Sequence, residues 1–140
     1  MIYRSGLNKD YQFMIKILVV EDRIILRRKI AGRLRTKFPG ILIMEAFDEA
    51  SCLKILSREV IQIIIMELRL TQGNGLELVQ KIKKINKDIF IIVNSIYDSN
   101  EYRKLASKMG SDYFLSKVKN NLSDMIALVK IQIEKSAFRM

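Results

Sequence analysis

The sequence of 140 residues contains no histidine, one cysteine and one proline. Without histidine the chain can form neither a Ser-His-Asp triad nor a Cys-His pair, and it has no histidine ligand to offer zinc. Cys52 alone cannot form an internal disulfide or a thiolate metal cluster, which is typical of a protein from a reducing cytoplasm. These absences exclude several classes of catalytic and metal site.

Long apolar segments are missing as well. The longest apolar runs, at 63–66 and 89–93, are far shorter than the roughly 20 residues that a membrane span needs. Residues 1–14 are too polar for a signal peptide. Walker and GxGxxG motifs are absent, which argues against an enzyme. We therefore expect a non-enzymatic, cytoplasmic protein that makes no membrane contact.

Positive charge is abundant, with 25 Lys and Arg against 15 Asp and Glu and a net charge of +10, which favours an anionic partner. It is densest in residues 23–37, which contain no acid. Apolar residues at every fourth position there predict a helix with its cations on the opposite, solvated face. This face is either simply solvated or a partner surface, and its candidate contact residues are Arg27, Arg28, Arg33 and Arg35.

Short apolar runs alternate with amphipathic segments along the chain. Continuous apolar strands joined by helices predict a parallel sheet covered on both faces. Asp48 and Asp98 are placed to cap helices, Asp98 together with Glu101. We predict an α/β fold with a doubly wound, five-stranded parallel sheet and five helices, formed by residues 15–138 after an N-terminal arm, 1–14. The strands are expected near 17–20, 41–47, 60–66, 89–93 and 112–116.

Polar side chains stand where the predicted strands end. Glu21 and Asp22 follow the first strand, Glu67 the third, and Ser95 and Lys117 close the fourth and fifth. Because the carboxyl ends of parallel strands meet at one edge, we expect these side chains to converge. Neighbouring carboxylates need a compensating cation, either Lys117 or Mg²⁺, which prefers oxygen ligands. Solvent exposure explains any one of these residues, but the set at matching positions predicts a site.

The segments ILVVEDR, MELRLTQGNGLEL, IIVNSIYDS and DYFLSKV resemble the receiver domain of bacterial two-component response regulators, over residues 16 to about 136. The resemblance implies the flavodoxin-like receiver fold. It implies metal binding at Glu21 and Asp22, and places Glu67 at the position of the phospho-accepting Asp. It assigns Ser95 and Lys117 to phosphate contact and Phe114 to the aromatic switch position.

The departures from the family pattern are informative. Glu67 replaces the acceptor Asp, and Thr71, Ile96 and Val118 replace residues that are usually Pro, small and Pro. A Glu carboxylate lies one methylene, about 1.5 Å, farther from the backbone than that of Asp. A misplacement of about 1 Å can slow phosphoryl transfer about a hundredfold. We therefore predict a receiver that works without phosphorylation, in which Glu67 partly imitates an aspartyl phosphate.

Other interpretations remain open. The receiver could be phosphorylated inefficiently by a histidine kinase or a small phosphodonor, or could have lost the chemistry by neutral drift. Mg²⁺ could bind at Glu21, Asp22 and Glu67. A basic adaptor that binds nucleic acid or an acidic protein through residues 23–37 is a further alternative. No helix-turn-helix and no aromatic-rich strand pattern supports nucleic acid, so a protein partner is favoured.

The resemblance also suggests partners. A histidine kinase, a phosphotransfer protein or a downstream effector would dock on the first helix. The fourth helix, fifth strand and fifth helix would form a weak homodimer, because Leu128 and Ile131 lie off the main apolar face of the last helix.

Overall fold

The computed structural model describes residues 15–139, so the predicted arm at 1–14 lies outside the described residues. Strands and helices alternate strictly in the described part. In chain order the elements are β1 (Lys16–Val20), α1 (Ile24–Lys37), β2 (Leu42–Ala46), α2 (Glu49–Leu56), β3 (Ile63–Met66), α3 (Gly75–Ile85), β4 (Phe90–Ser95), α4 (Asn100–Met109), β5 (Tyr113–Ser116) and α5 (Leu122–Arg139).

The sheet has the strand order β2-β1-β3-β4-β5, and every neighbouring pair is parallel. The predicted doubly wound sheet of five strands with five helices is thereby confirmed. The chain adds β2 on one side of β1 and β3 on the other, so the winding direction reverses between β1 and β3. Sheets of this kind open a crevice at the carboxyl ends of the strands at such a reversal. The fold therefore directs attention to the residues that follow β1 and β3.

The sheet separates two apolar cores. Successive side chains of a strand point to opposite faces, and accordingly Leu18 of β1 belongs to one core and Ile17 to the other. Helices α2, α3 and α4 cover the first core, and α1 and α5 cover the second. The apolar face predicted for the first helix is confirmed at Ile30 and Leu34, which are 1% and 0% exposed.

One of the two predicted helix caps is confirmed. Asp48 accepts a hydrogen bond from the backbone N–H of Ser51 at 2.8 Å and caps α2. The prediction for Asp98 is wrong: Ser99 caps α4 and accepts from the N–H of Tyr102 at 3.2 Å. Ser99 directly precedes the helix, whereas Asp98 lies one residue farther out, and its carboxylate accepts from the Ser116 hydroxyl instead.

Some boundaries differ from the predicted ones. The third strand begins at Ile63 rather than near 60, and Val60 is 66% exposed. The fourth strand extends to Ser95, so that residue lies inside the strand. No helix within residues 15–139 is both long enough and apolar enough to cross a membrane.

Candidate functional site

Three of the predicted site residues meet at the carboxyl end of the sheet. Glu21 follows β1, Glu67 follows β3 and Lys117 follows β5. The Lys117 ammonium donates to Glu21 Oε1 at 2.7 Å and to Glu67 Oε1 at 2.5 Å. The three side chains are nearly buried, with 3%, 6% and 12% exposed for Glu21, Glu67 and Lys117. We call these three residues the Lys117 cluster.

The second oxygen of each carboxylate in the cluster is held by backbone. Glu21 Oε2 accepts from the N–H of Arg23 at 3.1 Å. Glu67 Oε2 accepts from the N–H groups of Leu68 at 2.7 Å and Arg69 at 3.2 Å. Buried carboxylates are costly unless they are paired and hydrogen-bonded. The cluster meets this requirement with the protein's own donors.

Two carboxylates share one ammonium, so the cluster retains formal negative charge. Burial raises the pKa of the Glu21 carboxyl above its ordinary value, and the hydrogen bond from Lys117 offsets this only in part. The cause is desolvation, which penalises the charged form. The negative charge of Glu21 is therefore maintained against its surroundings chiefly by Lys117.

Asp22, the third predicted carboxylate, interacts with the side chain of Glu21 and also binds Thr71. Its Oδ2 accepts from the backbone N–H of Thr71 at 2.9 Å and from the Thr71 hydroxyl. Burial alone would raise the pKa of Asp22, but the hydrogen bonds from Thr71 and the interaction with the Glu21 side chain outweigh it and lower the pKa. The sequence marked Thr71 only as a replacement for proline, and its role as the partner of Asp22 was missed.

The predicted ligand set Glu21, Asp22 and Glu67 is not assembled as a metal site. In the described part of the chain, no group of three or more Asp, Glu or Cys residues is placed to hold a metal ion. Mg²⁺ requires oxygen ligands at about 2.0–2.1 Å in near-octahedral geometry. Here the Oε1 atoms that face each other both bind the Lys117 ammonium. The residues in this arrangement therefore do not fit Mg²⁺, because the ion and the ammonium would compete for the same oxygens.

The other predicted site residues lie close by but outside the cluster. Ser95 is fully buried, and its Oγ accepts from the N–H of Tyr97 at 3.1 Å. Its backbone carbonyl accepts from the N–H of Lys117 at 2.9 Å, so only its main chain contacts a cluster residue by hydrogen bonding. Phe114 is half-buried, and the guanidinium of Arg103 lies 4.7 Å from the centre of its ring.

A close backbone contact fixes the loop that follows Glu67. The N–H of Gly75 donates to the carbonyl oxygen of Leu68 at 2.9 Å. A Cβ at position 75 would lie only 2.3 Å from that oxygen, so only glycine fits here. The contact holds the segment whose N–H groups, at Leu68 and Arg69, bind the Glu67 carboxylate.

The cations of α1 do not all face solvent, contrary to the prediction. Arg27, with 12% of its side chain exposed, donates to Glu45 Oε1 at 3.1 Å and to the backbone oxygen of Glu21 at 3.0 Å. Arg35 donates to Glu45 Oε2 at 3.1 Å. The helix directs these two arginines towards β2, where Glu45 lies. Arg28 and Arg33 are exposed.

A basic groove lies between α1 and α5, with a volume of about 540 Å³. Its cations are Arg33, Lys37 and Lys130, and Ile126 contributes apolar surface. No acidic residue lines it. The groove therefore combines positive charge with apolar surface.

Comparison with known proteins gives a consistent result. Residues 17–130 match the family model described as the response regulator receiver domain. The chain is 29% identical over 126 residues to an uncharacterized transcriptional regulatory protein, YesN, of Bacillus subtilis, covering 85% of this chain and 34% of that protein. It is 29% identical over 104 residues to a cyclic di-GMP phosphodiesterase of Thermotoga maritima, covering 74% of this chain and 27% of that protein. The chain thus spans about a third or less of these two relatives.

Solved structures show the same fold. A CheY-like response regulator receiver domain protein from Methanospirillum hungatei superposes with a TM-score of 0.79 at 21% identity, covering 89% of this chain and 98% of the other. A two-component response regulator from Clostridium difficile gives a TM-score of 0.79 at 25% identity, covering 86% and 96%. A response regulator from Burkholderia pseudomallei with a phosphorylated aspartic acid and a calcium ion gives 0.73 at 25% identity, covering 86% and 72%.

Proposed function

Because the chain belongs to the family of response regulator receiver domains, which act in two-component signalling, we propose that it works without phosphorylation and acts through contacts with other proteins. We assign Glu67 to the phospho-acceptor position, since it follows β3 at the winding reversal. The observation that carries the proposal is the 2.5 Å contact between Glu67 Oε1 and the Lys117 ammonium.

Glu67 is poorly prepared to act as a nucleophile. Oε1 accepts from Lys117, and Oε2 accepts from two backbone N–H groups. Attack on a phosphoryl group requires an oxygen lone pair aligned with the phosphorus. Any such alignment would first break hydrogen bonds in a nearly buried position. Ile96, which replaces a usually small residue, is 42% exposed. The proposal therefore rests on Glu67 and not on Ile96 filling the space for a phosphoryl group.

The same contact gives Glu67 a signalling role. We assign Lys117 to phosphate contact in the family pattern, and here its ammonium binds the carboxylate of Glu67. A carboxylate carries a charge of about −1, whereas a phosphoryl group carries nearly −2. Glu67 therefore imitates an aspartyl phosphate in part, and the domain stays in one signalling state.

Incubation with Mg²⁺ and acetyl phosphate tests this function by intact mass. We expect no phosphorylated species from the wild type or from Glu67→Gln. Glu67→Asp should become phosphorylated, because its shorter carboxylate withdraws from Lys117 towards the position of the family's acceptor. Stoichiometric phosphorylation of the wild type would overturn the proposal. Slow, partial phosphorylation at Glu67 would favour the inefficient receiver instead.

We propose that the partner is a histidine kinase, phosphotransfer protein or effector with an acidic face, and that it contacts Arg28 and Arg33. Both are exposed, whereas Arg27 and Arg35 are already paired with Glu45. Nucleic acid is the competing ligand, and its binding would weaken steeply with salt. A DNA mobility-shift series across salt distinguishes them, since retention at low salt alone favours nucleic acid.

A weak homodimer through α4, β5 and α5 is a further part of the proposal. Apolar side chains are exposed on all three elements: Leu105 at 41%, Tyr113 at 49% and Ile131 at 49%. Sedimentation velocity over a range of concentrations tests it, and a monomer throughout that range would contradict it. Tyr113→Lys should abolish any dimer that forms.

A further inference from the structure

We infer that Lys117 is the resident cation of this site, and that its ammonium replaces a divalent metal ion in holding Glu21 and Glu67 together. The inference rests on the proposed assignment of these residues to the family's acidic site. Its basis is the contrast between two neighbouring carboxylates, which favour a metal ion, and their observed arrangement, in which Lys117 binds one oxygen of each.

The position of the Lys117 nitrogen is that of a bridging cation. It lies 2.7 Å from Glu21 Oε1 and 2.5 Å from Glu67 Oε1, atoms that come from the ends of two neighbouring strands. Ca²⁺ keeps about 2.3–2.6 Å from its oxygen ligands, and Mg²⁺ about 2.0–2.1 Å. A metal ion that bridged the two carboxylates would therefore need nearly the same place as the ammonium.

Charge repulsion also opposes joint occupancy. Lys117 is 12% exposed and its two carboxylate partners are less so, which limits screening by solvent. A divalent ion beside the ammonium would be repelled strongly in such surroundings. Binding of the ion thus requires Lys117 to leave both of its partners.

Asp22 already lies within side-chain reach of Glu21, but one of its oxygens is engaged elsewhere. Its Oδ2 accepts from the backbone N–H and the hydroxyl of Thr71. Binding of a metal ion through Oδ2 would leave both donors without that acceptor. The cluster and the Asp22–Thr71 pair together hold the three carboxylates in an arrangement that does not require a metal.

Titration of MgCl2 and CaCl2, followed by calorimetry and by thermal unfolding, tests the inference. The wild type should show no binding at low-millimolar ion concentrations. Lys117→Met should bind at least tenfold more tightly than the wild type, and its Tm should rise with ion concentration by mass action. Lys119→Met is the control, because Lys119 is exposed and the ion-pair partner of both carboxylates is Lys117, so this variant should behave as the wild type.

The wild-type titration decides the first half of the inference by itself: Mg²⁺ binding at low-millimolar concentrations would overturn it. If Lys117→Met unfolds, its refolding by either ion supports the inference. If neither ion refolds it, Lys117→Gln must meet the same tenfold criterion, and failure there overturns the inference.

These outcomes are independent of the phosphorylation test. Wild-type protein that resists phosphorylation but binds Mg²⁺ would refute only the role of Lys117. Stoichiometric phosphorylation of a wild type that shows no calorimetric Mg²⁺ binding would refute only the proposed function.

Discussion

The Lys117 cluster and helix α1 are both rich in charge, but they differ in how that charge is used. In the cluster, one ammonium and two carboxylates from distant parts of the chain share hydrogen bonds in a nearly buried position. On α1, Arg28 and Arg33 lie exposed, and only Arg27 and Arg35 are paired with an acid. The charged groups of the cluster bind one another, whereas Arg28 and Arg33 of α1 remain exposed.

The geometry of the two elements explains the difference. Parallel strands end at one edge, so residues from separate strands meet there. A helix has 3.6 residues per turn, so consecutive cations are spread around its axis and most of them face water. Local charge density therefore predicts neither burial nor pairing. Lys117 and Lys119 are two residues apart, yet the first is nearly buried and the second is exposed.

The largest expected effect is the loss of the cluster's cation. Lys117→Met leaves two nearly buried carboxylates without their shared partner, which typically costs about 3–5 kcal/mol in the free energy of unfolding. Arg28→Gln on α1 should change it by no more than about 0.5 kcal/mol, because Arg28 is exposed. Urea unfolding without divalent ions measures both, and equal effects would erase the distinction between the two regions.

Replacing one glycine near the cluster and one in α1 by alanine should change the stability of the fold by intermediate amounts of opposite sign. Gly75→Ala should destabilise the fold by about 1–3 kcal/mol, because the added Cβ collides with the Leu68 backbone. Gly32→Ala within α1 should stabilise it by about 0.5–1 kcal/mol, since a Cβ there meets no atom within 4 Å and alanine favours the helix. Thermal unfolding of the two variants measures both changes. A stabilising effect of Gly75→Ala would show that the loop after Glu67 shifts to accommodate the added Cβ.

The smallest effect concerns Asp98, which is half-buried and hydrogen-bonded to Ser116 beside the cluster. The Ser116 hydroxyl lowers the pKa of Asp98 below its ordinary value. A lowered pKa contributes stability above the unfolded-state pKa, and this is lost as pH falls through the folded-state pKa. Ser116→Ala should therefore raise the pKa of Asp98. It should also reduce the stability that this carboxyl contributes at neutral pH and loses in acid.

Titration of the Asp98 carboxyl by NMR measures this shift. Ser123→Ala, which removes an exposed hydroxyl from α5, is the control and should leave the pKa of Asp98 unchanged. An unchanged Asp98 pKa in Ser116→Ala would show that Asp98 behaves as an ordinary surface carboxylate.

The fold could be predicted well because its signals are local. Apolar runs gave the strands, and four-residue spacing gave the face of α1 that Ile30 and Leu34 bury. The strand boundaries were less accurate, since apolar composition does not specify where pairing begins. Val60 belongs to the segment predicted as the third strand but lies outside the strand and is exposed.

The site was predictable only in outline. The meeting of Glu21, Glu67 and Lys117 follows from strand order, because the ends of parallel strands lie together. The hydrogen bond from Thr71 to Asp22 depends on the course of two loops. Apolar periodicity carries no information about that course. The side chains of Glu21 and Asp22 interact, yet Glu21 binds Lys117 whereas Asp22 binds Thr71.

Arg27 joins the two regions that are otherwise so different. It is part of α1, but its guanidinium holds the backbone oxygen of Glu21, the residue that presents one carboxylate to Lys117. The N–H of Arg23, at the start of the same helix, donates to Glu21 Oε2, so α1 is tied to both the peptide oxygen and the carboxylate of Glu21. A displacement of the start of α1 would therefore reach the residue that binds Lys117 by two routes.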